Sequence, residues 1–255
     1  MKKAIKRYYG YLPDLGDHRD REMLMGVMAE GEMPTSVDLR PLMPGVFDQG
    51  RTSSCVAQAT ATAWWYAHSQ GDRPTELASR LFVYYEARRL EGRQIYDSGC
   101  MIRDGIKVLV VRGVCPETEW PFAATRINQK PPAPCYTEAL KDQVSEYMRL
   151  GGVESQFKQC LADGFPFVTG LSLYESFESK EVAKTGLVPM PGHRERMVGG
   201  HAILVVGYFE DKRMFLCRNS WGEKWGMKGY FMIPYSYLCH GNLATDHWTI
   251  RKVEA

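Results

Sequence analysis

The sequence predicts an α+β protein, with helices in its N-terminal half, antiparallel strands in its C-terminal half and a cleft where the two meet. Three observations predict it. Residues 54–69 run for about four helical turns without Gly or Pro, and Gly71 stops them. Two further helical segments, ended by Gly92 and Gly113, follow before the loop NQKPPAPC. Beyond that loop the period changes to short β-rich runs separated by turn signals.

The elements read in order as follows. Residues 1–34 are charged and punctuated by Gly and Pro, without a sustained period, and are expected to be an arm laid over the domain. TELASRLFVYYEARRLEG carries Leu77, Leu81, Tyr84, Tyr85 and Leu90 at helical spacing, and RDGIKVLVVRG forms the third helix. QVSEYMRL alternates like a strand, VESQFKQCLADG reads as a helix, and FPFVTGLSLY returns to strand. GHAILVVGYF, RMFLCRNSW and GYFMIPYSYL each read as one further strand.

A chain of 255 residues with 44% hydrophobic residues suits one large domain or two modest halves. The formal charge of +2, with Lys and Arg scattered, argues against a nucleic-acid partner. The basic start is followed by no apolar h-region, and no run is long enough to span a bilayer. The expectation is a soluble protein made in the cytoplasm, or exported without a signal peptide. Seven cysteines without CxxC or His/Cys clusters make a zinc site unexpected and suggest buried free thiols in a reducing compartment.

The chemistry is expected at Cys55, where the helix of 54–69 begins, because helix N–H groups and the dipole stabilise a thiolate. His201 follows Gly199-Gly200 and opens an apolar strand, which would place its ring at a strand mouth. Asn219 ends the next strand, so an antiparallel neighbour would bring its amide to His201, with Trp221 shielding that bond. Gln49 stands six residues before Cys55, where its amide and the Cys55 N–H would bind an oxyanion. Each residue alone also fits a bland role: buried thiol, structural histidine, capped turn or surface glutamine.

Together, Gln-x5-Cys, Gly-Gly-His at a strand start and Asn-Ser-Trp-Gly resemble the papain-like cysteine peptidases. Cys55 and His201 are 146 residues apart, within the spread of that family, and Asn219 lies 164 from Cys55. SVDLRPLMPGVFDQG, GVCPETEWPF and WGEKWGMKGYFMI are similar to further family segments. The resemblance implies a papain-like fold: an arm over 1–34, then a peptidase domain over 35–255. A helical half (about 50–135) and a β-barrel-like half (about 136–255) would flank the cleft. It implies Cys55 as nucleophile, His201 as general base then acid, Asn219 as orienter and Gln49 as oxyanion donor, with no metal or organic cofactor.

Ser98 and Gly99 would line the path of an extended peptide, with Gly200 and Trp221 nearby, and Asp246 or His247 would stand near a pocket floor. Thr52 stands where secreted relatives have a disulfide cysteine, so that bridge is absent, and the resemblance then implies a bacterial or archaeal member kept in the prokaryotic cytoplasm or exported without a signal peptide. The arm is expected to occlude the cleft in part. The implied activity is endopeptidase cleavage of peptide or protein substrates through an acyl-enzyme. The same site would also serve a deamidase, acyltransferase or isopeptidase, and the fold alone an inactive binding module.

Overall fold

The computed structural model describes residues 8–18, 20–23, 33–71 and 75–254. Of the arm expected over 1–34, residues 1–7, 19 and 24–32 therefore lie outside the described residues. Strands β1 (Tyr11–Leu12) and β2 (Ser36–Asp38) precede the helical half, which holds α1 (Cys55–Ser69), α2 (Arg80–Leu90), β3 (Cys100–Met101), α3 (Ile102–Val111) and α4 (Ala133–Ala139). The second half runs β4 (Val144–Leu150), α5 (Glu154–Ala162), β5 (Phe167–Tyr174), α6 (Lys180–Thr185), β6 (Met197–Phe209), β7 (Met214–Arg218), β8 (Tyr230–Pro234), α7 (Tyr235–Leu238) and β9 (Ala244–Val253). The fold is the expected α+β arrangement.

Helix α1 is the axis of the molecule. Every residue from Cys55 to Trp64 is buried, because Ala57, Ala59, Ala61 and Ala63 let α2 and α3 approach from one side and β5, β6 and β9 from the other. A helix buried all round has no polar face to lose. Its two threonines bond back instead, Thr60 Oγ1 to the Val56 carbonyl at 2.8 Å and Thr62 Oγ1 to the Gln58 carbonyl at 2.7 Å.

The main sheet runs β4-β9-β5-β6-β7-β8, with β2 added beside β6, and its end strands do not pair among the described residues. The sheet is open, so "barrel-like" fits it only loosely. Its register matters to the site. Leu171 of β5 faces His201, and Leu204 of β6 faces Arg218, so the start of β6 lies across from the chain leaving β7.

Two local readings change. The segment around NQKPPAPC ends as a helix, because Pro132 takes the N-cap of α4 and Pro134 sits in its first turn, where a missing N–H costs nothing. GYFMIPYSYL is not one strand: β8 stops at Pro234, which cannot donate to a ladder, and one helical turn follows. All seven cysteines are free thiols, six of them buried. No described helix is long and apolar enough to cross a membrane.

Candidate active site

Cys55 opens α1 with its thiol fully buried. Ser54 is the N-cap residue, yet its side chain does not cap: Oγ sits 2.7 Å from Thr52 Oγ1 and accepts from Gln58 Nε2 at 3.1 Å. The first N–H groups of the helix are thus left for the sulfur. Burial pushes the Cys55 thiol up to about 11, opposed by hydrogen bonds with the backbone of Ala202, Gly10, Val56 and Cys55 itself.

His201 is likewise fully buried. Its Nε2 lies 2.9 Å from Asn219 Oδ1, which also accepts the Ser220 N–H at 2.8 Å. Trp221 covers the imidazole, with ring centroids 4.9 Å apart and planes at 33°. The segment before Cys55 is stitched to this loop by backbone bonds, Gln49 N to the Ser220 carbonyl and Gly222 N to the Phe47 carbonyl, both 2.9 Å. Gln49 is buried and its amide is fixed at both ends. Oε1 accepts from Ser220 Oγ at 2.6 Å, while Nε2 donates to the Thr52 carbonyl at 2.7 Å and reaches the Tyr8 carbonyl at 3.4 Å. Cys55, His201, Asn219 and Gln49 thus converge on one place, and Ser220 joins them.

The cleft at that place is filled by the chain's own arm. Tyr9 stands edge-on to His201 with centroids 6.5 Å apart, and its hydroxyl donates to Glu178. The Gly10 carbonyl accepts the Cys100 N–H at 2.9 Å, and β1 continues parallel to β3. Gly99, at φ 75°, makes room for this pairing; a Cβ there would stand 2.2 Å from the Gly10 oxygen. Gly200 is equally close, since its Cβ would stand 2.6 Å from the Tyr11 oxygen.

Tyr11 then turns its ring into a pocket roofed by Gly170, where any Cβ would fall 2.0 Å from the ring. Its hydroxyl donates to Asp246 and lies 2.6 Å from Thr245 Oγ1. Asp246 also accepts the Asp14 N–H at 2.8 Å and a bond from Arg149 Nη2 at 3.2 Å. Asp14 in turn accepts the Arg103 N–H in the first turn of α3 at 3.0 Å and the Trp248 Nε1–H at 2.9 Å. Burial and the facing Asp246 raise the Asp14 carboxyl to about 6. Farther along, Asp20 pairs with Arg103 and Arg149, and Met23 N donates to the Arg149 carbonyl at 2.8 Å.

Of the residues expected to meet a peptide, Gly99, Gly200 and Asp246 touch the arm. Ser98 turns its hydroxyl back to the Gly99 carbonyl, and Trp221 lies over His201. His247 points away from the pocket: it is buried, its Nδ1 lies 2.6 Å from Thr169 Oγ1, and burial with Arg149 lowers its pKa to about 3. Among the described residues, no group of three or more His, Cys, Asp or Glu could hold a metal.

A family model described as "Papain family cysteine protease" matches residues 33–247. The chain belongs to the papain family of cysteine proteases. Its structure is similar to that of xylellain, a cysteine protease from Xylella fastidiosa, at 41% identity and a TM-score of 0.90, with 96% of each chain covered. A peptidase C1-like protein of Acanthamoeba polyphaga mimivirus is 36% identical over 98% of this chain and 88% of its own length. The procathepsin B S9 structure from Trypanosoma congolense shares the fold, at 19% identity and a TM-score of 0.77, covering 97% of this chain and 87% of that one. The protein is a papain-like cysteine peptidase, a hydrolase, without the disulfides of secreted members.

Proposed function

We propose that this papain-family protein is a latent endopeptidase in which Cys55, His201, Asn219 and Gln49 perform the reaction and residues 8–14 hold it in check. The clamped imidazole supports the assignment. Nε2 is engaged by Asn219 Oδ1, which fixes the ring, and Nδ1 is assigned the proton exchange with the Cys55 sulfur. Cys55 would lose its proton to His201 and attack the scissile carbonyl carbon. The carbonyl oxygen would gather charge against the Cys55 N–H and Gln49 Nε2. The C–N bond would break as His201 returns the proton to the leaving amine, giving a thioester. Water, deprotonated by His201, would then release the acid and restore the thiol.

The latency reading rests on occupancy. The arm covers Cys55 and His201, and what Gly10 offers the sulfur is a backbone hydrogen bond instead of a carbonyl carbon to attack. Tyr11 on Asp246 also suggests the side chains this pocket would accept in a substrate: those with a hydrogen-bonding or basic tip, tyrosine first.

An epoxysuccinyl thiol probe, applied near neutral pH, tests both readings. Gly10→Ala should label faster than the wild-type chain, and Cys55→Ala should not label. No labelling of Cys55 in folded Gly10→Ala protein would sink the assignment of Cys55 as nucleophile. Equal labelling of wild type and Gly10→Ala would sink latency. A peptide-library cleavage profile then tests the pocket preference.

A further inference from the structure

Asp97 lies outside every element that carries the reaction, yet it touches the nucleophile's approach. The Ser53 N–H, two residues before Cys55, donates to both of its carboxylate oxygens, at 3.0 Å to Oδ1 and 3.1 Å to Oδ2. Oδ1 also accepts the Tyr84 hydroxyl at 2.6 Å. That same hydroxyl accepts the Gly99 N–H at 3.0 Å. A continuous path therefore runs Ser53–Asp97–Tyr84–Gly99, from the nucleophile loop to the glycine beside which the arm pairs.

The path is built on rigid ground. Tyr84 is fully buried in α2, and Arg88, one turn on, stacks its guanidinium 3.8 Å from the Tyr84 ring. Arg88 donates to the carbonyls of Tyr84, Tyr96 and Ile127 and to Asn128 Oδ1, which fixes the chain just before Asp97. Burial raises the Tyr84 phenol, with the neighbouring Cys100 and Asp97 adding to it, so the hydroxyl stays protonated and remains a donor. On the other flank of the loop, Thr52 and Ser54 make only hydrogen bonds, to the Gln49 carbonyl, to each other and to Gln58. No covalent bridge secures Thr52.

We infer that Asp97 is a positioning residue: its carboxylate, through the Ser53 amide on one side and Tyr84 and Gly99 on the other, sets the spacing between the nucleophile and the strand that binds the peptide. A charged acceptor is the apt choice, because hydrogen bonds to an ionised group are roughly twice as strong as neutral ones. The consequence is kinetic. Loosening this spacing leaves the substrate bound but misplaced, and misplacement by about 1 Å can cost on the order of a hundredfold in rate.

The inference rests on Cys55 being the nucleophile, and its test separates the two. In the full-length chain, Asp97→Ala, Asp97→Asn, Tyr84→Phe and the Ala/Phe double variant are compared with wild type. Cleavage of a tyrosine-containing peptide is measured per thiol titrated by the epoxysuccinyl probe. Asp97→Ala should lower kcat per titrated thiol by roughly ten- to a hundredfold with little change in KM. Asp97→Asn should recover part of the loss, since its side-chain carbonyl still accepts the Ser53 N–H. The double variant should lose less than the product of the single losses, as members of one chain of bonds do. Unchanged kcat per titrated thiol in Asp97→Ala overturns the inference, as does an Asn variant no better than Ala. If neither the wild-type chain nor Gly10→Ala cleaves peptide, the assignment of Cys55 as nucleophile fails by itself. Amide exchange then decides: joint loss of protection at Ser53 and Gly99 in Asp97→Ala upholds the spacing role, and unchanged protection overturns it.

Discussion

Gly10 passes so close to Ser53 that a Cβ on the glycine would stand 1.7 Å from the Ser53 carbonyl oxygen. This is contact with backbone, which cannot swing aside as a side chain would. Gly10→Ala therefore displaces the arm or the nucleophile loop, and the arm, which lies on the surface of the domain while Thr52, Ser53 and Ser54 are buried, is the cheaper to move. Peptide cleavage and probe labelling should both rise, by tenfold or so if docking loses about 1.4 kcal/mol. A rate no higher than wild type in the folded variant would show that the arm does not limit access.

The catalytic assignments predict an order of losses. His201→Ala should lower kcat/KM by at least about 10²–10⁴, the usual range for a general acid–base group, with the thermal transition preserved. Gln49→Ala should cost on the order of 10²–10³, as for a lost oxyanion donor. Asn219→Ala should cost less than His201→Ala, because it orients the ring without exchanging the proton. Steady-state kinetics on one peptide checks the ranking, and near-normal turnover of His201→Ala would refute its role.

Asp246 holds the arm and forms the pocket, so one substitution should change two measurements. Asp246→Asn loses the charged acceptor shared by the Tyr11 hydroxyl, the Asp14 N–H and Arg149. The labelling rate should increase as the arm loosens, while preference for a basic side chain in the substrate falls. A cleavage profile identical to wild type would remove Asp246 from substrate recognition.

Asp14 gives the docked arm a pH dependence whose sign follows from its neighbours. It faces Asp246, Arg103 and Trp248, and burial lifts its carboxyl from 3.8 to about 6. The docked arm therefore binds a proton more tightly than the released arm. Docking is strongest in acid, weakens as pH rises from about 4 to about 6, and changes little above that. The ratio of wild-type to Asp14→Asn labelling rates should climb across this interval, with thiol ionisation cancelling in the ratio. A flat ratio would exclude Asp14.

In the β half, Phe157 of α5 stacks on Phe167 at 4.7 Å and meets Phe215 and His247 edge-on. Phe157→Ala should destabilise the fold by about 3–5 kcal/mol, read from denaturant unfolding. A loss below about 1 kcal/mol would mean that the neighbouring rings collapse into the space.

What was legible in the sequence had local causes. Cys55 stands at a break between a polar loop and an uninterrupted apolar run, and His201 follows two glycines into a strand, so both announce themselves within a few residues. Their meeting with Asn219 was legible because consecutive antiparallel strands lie side by side. The path of the arm was not. Its anchors join Tyr11 to Asp246 and Asp14 to Trp248, contacts more than 230 residues apart with no sequence periodicity behind them. Asp97 was silent for a similar reason: its partners are a backbone amide and one hydroxyl of a buried helix. The direction of His247 was open because the strand alternation placing it on the far face depends on knowing where β9 begins.

Residues 8–14 are joined through their own chain to the surface they cover, which makes their docking unimolecular. Dilution does not release them, and the fraction of molecules with an open cleft is the same at any protein concentration. A free peptide therefore competes against a tethered rival whose local concentration is on the order of millimolar. Peptides that match the cleft no better than the arm does would stay excluded at lower concentrations, so under the proposed latency the arm would act as a threshold on which chains reach Cys55.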